Sequence, residues 1–218
     1  PGVPPNQRWP RFRQEKRPFF VEGADTFNSP LRVFHSRTIV DPDGAVKLTG
    51  KIGKTSFGFL AASDKAPGNY GEDDLNNIFL LPQISEFVGK NATFAVARIK
   101  RDIGKENSLG FFATYRSFPE QKNIVAGFDG RFKLTPRLTS QFQVVGTNAR
   151  RCFFDSEFEP SLDPDQAQEN RNICGTGSIS PNPLRNGTFS EYKTGNAIGY
   201  YANIDYYTDQ HSFFAEVG

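Results

Sequence analysis

Residues 124–145 read IVAGFDGRFKLTPRLTSQFQVV, and their alternation decides the fold class. Ile124, Ala126, Phe128, Phe132 and Leu134 share one parity, while Asp129, Arg131 and Lys133 share the other. Successive side chains of an extended strand point to opposite faces, so this is a strand with one apolar and one polar face. Thr135-Pro136-Arg137 interrupts the pattern and LTSQFQVV resumes it, which makes the stretch a hairpin.

The same unit recurs on either side. AVKLTGKI (45–52) places Val46, Leu48 and Ile52 opposite Lys47, Thr49 and Lys51, and after the turn GKT the run SFGFLAA carries Phe57, Phe59 and Ala61 on one face. TFAVARIKRD, the turn IGKEN and SLGFFATY make another hairpin, with Leu109, Phe111, Ala113 and Tyr115 together. AIGYYANIDYY, the turn TDQ and HSFFAEVG make the fourth. Connections between hairpins are long and polar, about Ser63 to Ala92 and about Gly146 to Asn196. Structureless loops that long are uncommon in a compact soluble domain, whereas short turns at one end and long loops at the other suit an outer-membrane barrel.

The expected fold is therefore all-β, an antiparallel meander of hairpins forming at least part of a transmembrane outer-membrane β-barrel. Its short turns would be periplasmic and its long loops extracellular. Val46, Leu48, Phe57, Phe59, Leu109, Phe111, Phe128 and Phe132 are the expected lipid-facing positions, and Tyr115, Tyr200, Tyr206 and Tyr207 suit an interfacial girdle. A soluble sandwich also alternates, so periodicity alone leaves open which face is outside.

Composition narrows the alternatives. The chain has 218 residues, a net charge of +2, 22 Phe and no Met. This is enough apolar material for a folded domain, and the charge balance provides no global attraction for nucleic acid. No run approaches the roughly 18 apolar residues of a spanning helix. PGVPPNQRWP reads as an extended linker, and residues 1–30 as linker and barrel entrance. LRVFHSRTIV (31–40) is a candidate extra first strand, which makes residues 31–218 an N-terminal barrel portion of eight or nine strands. Because FFAEVG stops within a strand pattern, closure is expected from further strands or another chain.

EKRPFFVEGADTF (15–27), HSRTIVDP (35–42), AVKLTGKIGK (45–54) and VARIKRDIG (96–104) follow one another in an order that resembles a bacterial barrel domain. That domain, itself of unknown function, belongs to outer-membrane proteins whose upstream half resembles a family 9 carbohydrate-binding module. The resemblance covers residues 14–145 and implies a bacterial outer-membrane location and a pore or envelope platform associated with glycans. The carbohydrate-binding half is not in this chain, so no sugar-binding residue is carried over. Glu15, Lys16 and Arg17 would lie in water or at a barrel mouth while Pro18, Phe19 and Phe20 enter apolar surroundings.

Candidate chemistry is sparse. Cys152 and Cys174 lie too far from other thiols or imidazoles for a metal site, since His35 and His211 are the only histidines. A disulfide is the better reading, restraining its loop by roughly 3 kcal/mol and implying an oxidising compartment. Lys47, Lys51, Arg98, Lys100, Arg131 and Lys133 form a candidate basic belt at the lumen mouth; the competing reading is a wall neutralised by Asp102, Asp129, Asp205 and Glu216.

GEDD, DPDQ and DPDG lack the ligand spacing of a calcium loop and read as turns, and the acceptor patterns at Asn91 and Asn186 are short enough to arise by chance. His35-Ser36 and His211-Ser212 on strands would point to opposite faces, and no nucleophile elbow or phosphate loop occurs. The expectation is a non-enzyme without cofactor or metal, whose partners are the outer-membrane bilayer and, beyond it, glycans or other envelope proteins. An assembly protein whose loops bind surface proteins is the alternative, and a barrel-embedded hydrolase the third reading.

Overall fold

The computed structural model describes residues 15–78, 81–85, 87–155, 189–208 and 212–217. Its strands are β1 (Pro42–Ile52), β2 (Thr55–Asp64), β3 (Ala92–Ile103), β4 (Asn107–Phe118), β5 (Gln121–Thr135), β6 (Leu138–Asp155), β7 (Phe189–Tyr207) and β8 (Ser212–Val217). They form one eight-stranded sheet in sequence order, antiparallel at every junction. The four hairpins read from the alternation are present as β1–β2, β3–β4, β5–β6 and β7–β8. Among the described residues β1 and β8 are the sheet edges and are not paired with each other.

Three local expectations are corrected. LRVFHSRTIV is not a strand: it holds one 3-10 turn, Ser36–Thr38, in otherwise irregular chain, so the described residues hold eight strands, the lower of the two expected counts. The expected loop from Gly146 to Asn196 is shorter, because β6 continues to Asp155 and β7 begins at Phe189. Polar runs such as TNAR and EYKTGN extend those strands because the ladder with a neighbour satisfies the backbone whatever the side chains. Between β4 and β5 the long-loop end carries only Pro119 and Glu120, the latter at φ 60 and ion-paired to Arg150 at 3.2 Å. The 65–91 connection, by contrast, is long and packs Phe87 against Phe118 with ring centroids 5.6 Å apart.

Register assembles the even and odd positions into two unlike faces. Phe57, Ile99, Phe111, Phe128, Val144 and Tyr200 form one cross-strand row, and Leu48, Phe59, Ala97, Ala113 and Ala126 another. This face is bare: Val46, Leu48, Phe59, Leu109, Phe111 and Phe128 are exposed. Phe57 and Phe132 share it but are half-buried, Phe132 by stacking on Phe142 at 6.1 Å. Tyr115, Tyr200 and Tyr206 are on the bare face as well, whereas Tyr207 falls on the opposite parity.

The opposite face is covered. Leu60, Ala62, Phe94, Val96 and Phe118 are buried there with Phe20 and Ile39 from the N-terminal segment. The covered face thus combines an apolar cluster with buried Arg98, Asp129, Gln143 and Asn203, while the opposite, apolar face has no cover among the described residues. No helix among the described residues is long and apolar enough to cross a membrane.

Candidate functional site: the covered face

Residues 15–41 lie across the covered face as a strap. Pro18 opens a one-turn helix, Pro18–Val21, where its missing N–H costs nothing. A 3-10 turn, Ala24–Phe27, then packs over β2 and β3. Gly58 makes this approach possible, since a Cβ there would meet Thr26 and Phe27 at 2.9–3.0 Å.

The abrupt charged-to-aromatic change in EKRPFF now has a structural cause. Arg17 pairs with Glu15 at 2.8 Å and donates to the carbonyls of Ile39 and Ser36 at 2.7 and 3.1 Å, clasping the two ends of the strap together. Ser36 Oγ donates to the same carboxylate at 2.7 Å. Phe20, immediately beyond, is buried in the core with the Arg17 guanidinium 4.2 Å from its ring centroid. The boundary expected at Arg17-Pro18 therefore separates the clasp from a protein-built core, and Phe19 stays exposed.

Three contacts tie the strap to the sheet. Lys47 Nζ on β1 donates to the carbonyls of Phe19 and Glu22. The Leu31 N–H donates to Gln143 Oε1 on β6 at 2.6 Å. At the C-terminal end the buried Asp64 accepts from the amides of Val40 and Asp41 at 2.9 and 2.8 Å.

Beneath the strap runs a polar row. Arg98 on β3, 2% exposed, forms a bidentate ion pair with Asp129 on β5, with NH2 to Oδ2 at 2.8 Å. Asp129 is opposite Gln143, and Gln143 is diagonal to Asn203 on β7. Arg98 Nε, Gln143 Nε2 and Asn203 Oδ1 are buried without a hydrogen-bond partner. Each such group costs about 1–3 kcal/mol.

The six bases read as a belt are placed differently from one another. Lys47 holds the strap and Arg98 is buried in its pair, away from any mouth. Lys51 pairs with Asp102 at 2.7 Å and Lys133 with Glu106 at 2.5 Å near the short turns. Lys100 and Arg131 are exposed, with no carboxylate in ion-pair distance among the described residues.

Within the strap, reaching Leu60 of β2, is a recess of about 510 Å³ lined by Phe20, Phe27 and Phe34, with Glu15, Asn28, Arg32 and His35 on its polar side. The Arg17 guanidinium holds the Glu15 carboxyl well below the usual carboxylate range. Burial, followed by the nearby Arg32 charge, pushes the His35 imidazole down. His35 and Ser36 sit at a 3-10 turn instead of on a strand, so the opposed-face argument against a shared site does not apply to them. His211 is outside the described residues, as are Cys174 and the Cys152 side chain, so the disulfide also lies outside them; the Cys152 backbone belongs to β6. No cluster of three metal-ligating side chains occurs among the described residues.

Residue types alone did not reveal the strap or the polar row. Gly58 and Gly110, both on the covered-face parity, were the available signal, because glycine inside a strand marks a close approach. Comparison with protein-family models, curated proteins and solved structures finds no match to this chain.

Proposed function

We propose that the chain forms wall strands of a bacterial outer-membrane β-barrel that acts as a pore or envelope platform. The observation that carries this reading is the bare face, apolar and exposed row after row from β1 to β8. In water that surface is a cost of about 25 cal/mol for every Å². Hydrocarbon tails remove it. Strands β1 to β7 have 10 to 19 residues, which meets the 9–11 needed for a tilted strand to cross a bilayer. In this reading the edges β1 and β8 are closed by further strands, since unpaired edges are not tolerated in lipid.

The experiment is expression in a bacterium, membrane fractionation and reconstitution into planar bilayers. Recovery from the outer membrane with heat-modifiable gel mobility supports a barrel, and recovery as a monodisperse, detergent-free soluble protein overturns it. Conductance favours the pore. Stoichiometric copurifying envelope proteins without conductance favour the platform, a second reading supported by the strap that already fills much of the covered face. A link to glycans rests on the resemblance of residues 14–145 alone, and binding of envelope oligosaccharides to the reconstituted protein tests it.

A further inference from the structure

We propose that the strap, residues 15–41, is a displaceable gate on the covered face and not permanent filling. Its clasp is internal: Arg17 joins Glu15, Ser36 and Ile39, so the strap keeps its shape as one body. It is attached to the sheet by a few polar contacts: Asp64 accepts from the amides of Val40 and Asp41, Gln143 accepts from the Leu31 N–H, and the half-buried Lys47 donates to the carbonyls of Phe19 and Glu22.

The docked interface is also imperfect: Arg98 Nε and Gln143 Nε2 are buried without hydrogen-bond partners in the row it covers. Opposing these costs, Phe20 and Ile39 are buried against Leu60, Phe94 and Val96. Undocking would lose that apolar contact and the bonds to Lys47, Gln143 and Asp64, but return two orphaned polar groups to water. Those orphaned groups are what would bring an undocked position within reach. With the strap away, the Arg98, Asp129 and Gln143 row becomes a wetted polar lining. The gating consequence rests on the pore reading, whereas the displacement itself does not.

The test places a cysteine at Leu60, 1% exposed beneath the strap, and follows its reaction with a membrane-impermeant maleimide in the reconstituted full chain, with the parent chain correcting for native thiols. Slow labelling that accelerates about tenfold or more on Lys47→Ala, which removes the charge-assisted bonds to Phe19 and Glu22, is the expected result. Ala92→Cys, buried near the 65–91 connection, serves as the control and should keep its rate. Ala62→Cys is the second reporter should Leu60→Cys fail to fold. The same Leu60→Cys rate with and without Lys47, parent labelling as fast as in unfolded chain, or equal acceleration at Ala92→Cys each overturns the proposal. Acceleration at Leu60→Cys in a protein that never conducts sinks the pore reading and leaves the mobile strap standing.

Discussion

Arg98 on β3 and Asp129 on β5 are not in register and are separated by β4, yet their side chains meet over Gly110. The guanidinium occupies the space a side chain at Gly110 would need: a Cβ there would be 2.5–2.8 Å from its atoms. The pair fixes the stagger of three consecutive strands with one contact.

Gly110→Ala should therefore displace Arg98 and strand a buried charge. A loss of about 3–5 kcal/mol is expected, as for breaking a buried pair by removing one partner. The joint replacement Arg98→Met with Asp129→Leu should cost far less, because no charge is left unpaired. The temperature at which gel mobility changes from folded to unfolded reads both; equal stability of Gly110→Ala and the parent would contradict the packing.

Charge on the bare face should matter by depth. Phe111→Arg and Phe128→Arg, mid-strand and in contact at 5.2 Å, are expected to cost about 2–4 kcal/mol each in the proposed bilayer. Leu134→Arg, next to a short turn, should cost about 0–1 kcal/mol. Refolding yield into vesicles measures the series. Normal assembly of Phe57→Arg, Phe111→Arg and Phe128→Arg alike would argue that no hydrocarbon covers them.

Acid should release the strap. Glu15 is held below its ordinary 4.5, so its contribution is complete above about pH 4.5 and is lost as pH falls through the folded value. His35 is pushed below 6.5, so the docked form favours the neutral ring, and that contribution is complete above about pH 6.5 and declines below it. The partners that hold Glu15 down, Arg17 and Ser36, belong to the strap itself, so Glu15 reports on the clasp while His35 reports on burial. Labelling of Leu60→Cys, normalised to a free thiol at each pH, should rise as pH falls below about 6.5, and His35→Gln should remove that rise while Glu15→Gln keeps it. A flat profile would show that His35 does not sense docking.

Near the short turns, Lys100 and Arg131 should contribute to the field on the covered-face parity, whereas Lys51 and Lys133 are neutralised by Asp102 and Glu106. Lys100→Gln with Arg131→Gln is expected to shift reversal potentials of a conducting protein towards cations, with the shift shrinking as salt rises. Lys51→Gln with Asp102→Asn keeps the net charge and should leave them unchanged. Equal potentials in all three proteins would remove any role for the mouth charges.

What the sequence by itself determined is the alternation. Ile124 to Leu134 against Asp129 to Lys133 is a local property of an extended chain, so the hairpins and the two unlike faces follow without any knowledge of neighbours. The polar continuation of β6 and β7 was not legible, because there the ladder and not the side chains holds the strand. The strap carries no period to read, and its docking depends on partners remote in the chain: Leu31 meets Gln143 across 112 positions, and Arg98 meets Asp129 across 31. Only the tertiary structure decided which face the Phe20 cluster covers and which bases are spent internally, because strand register and glycine gaps select those contacts.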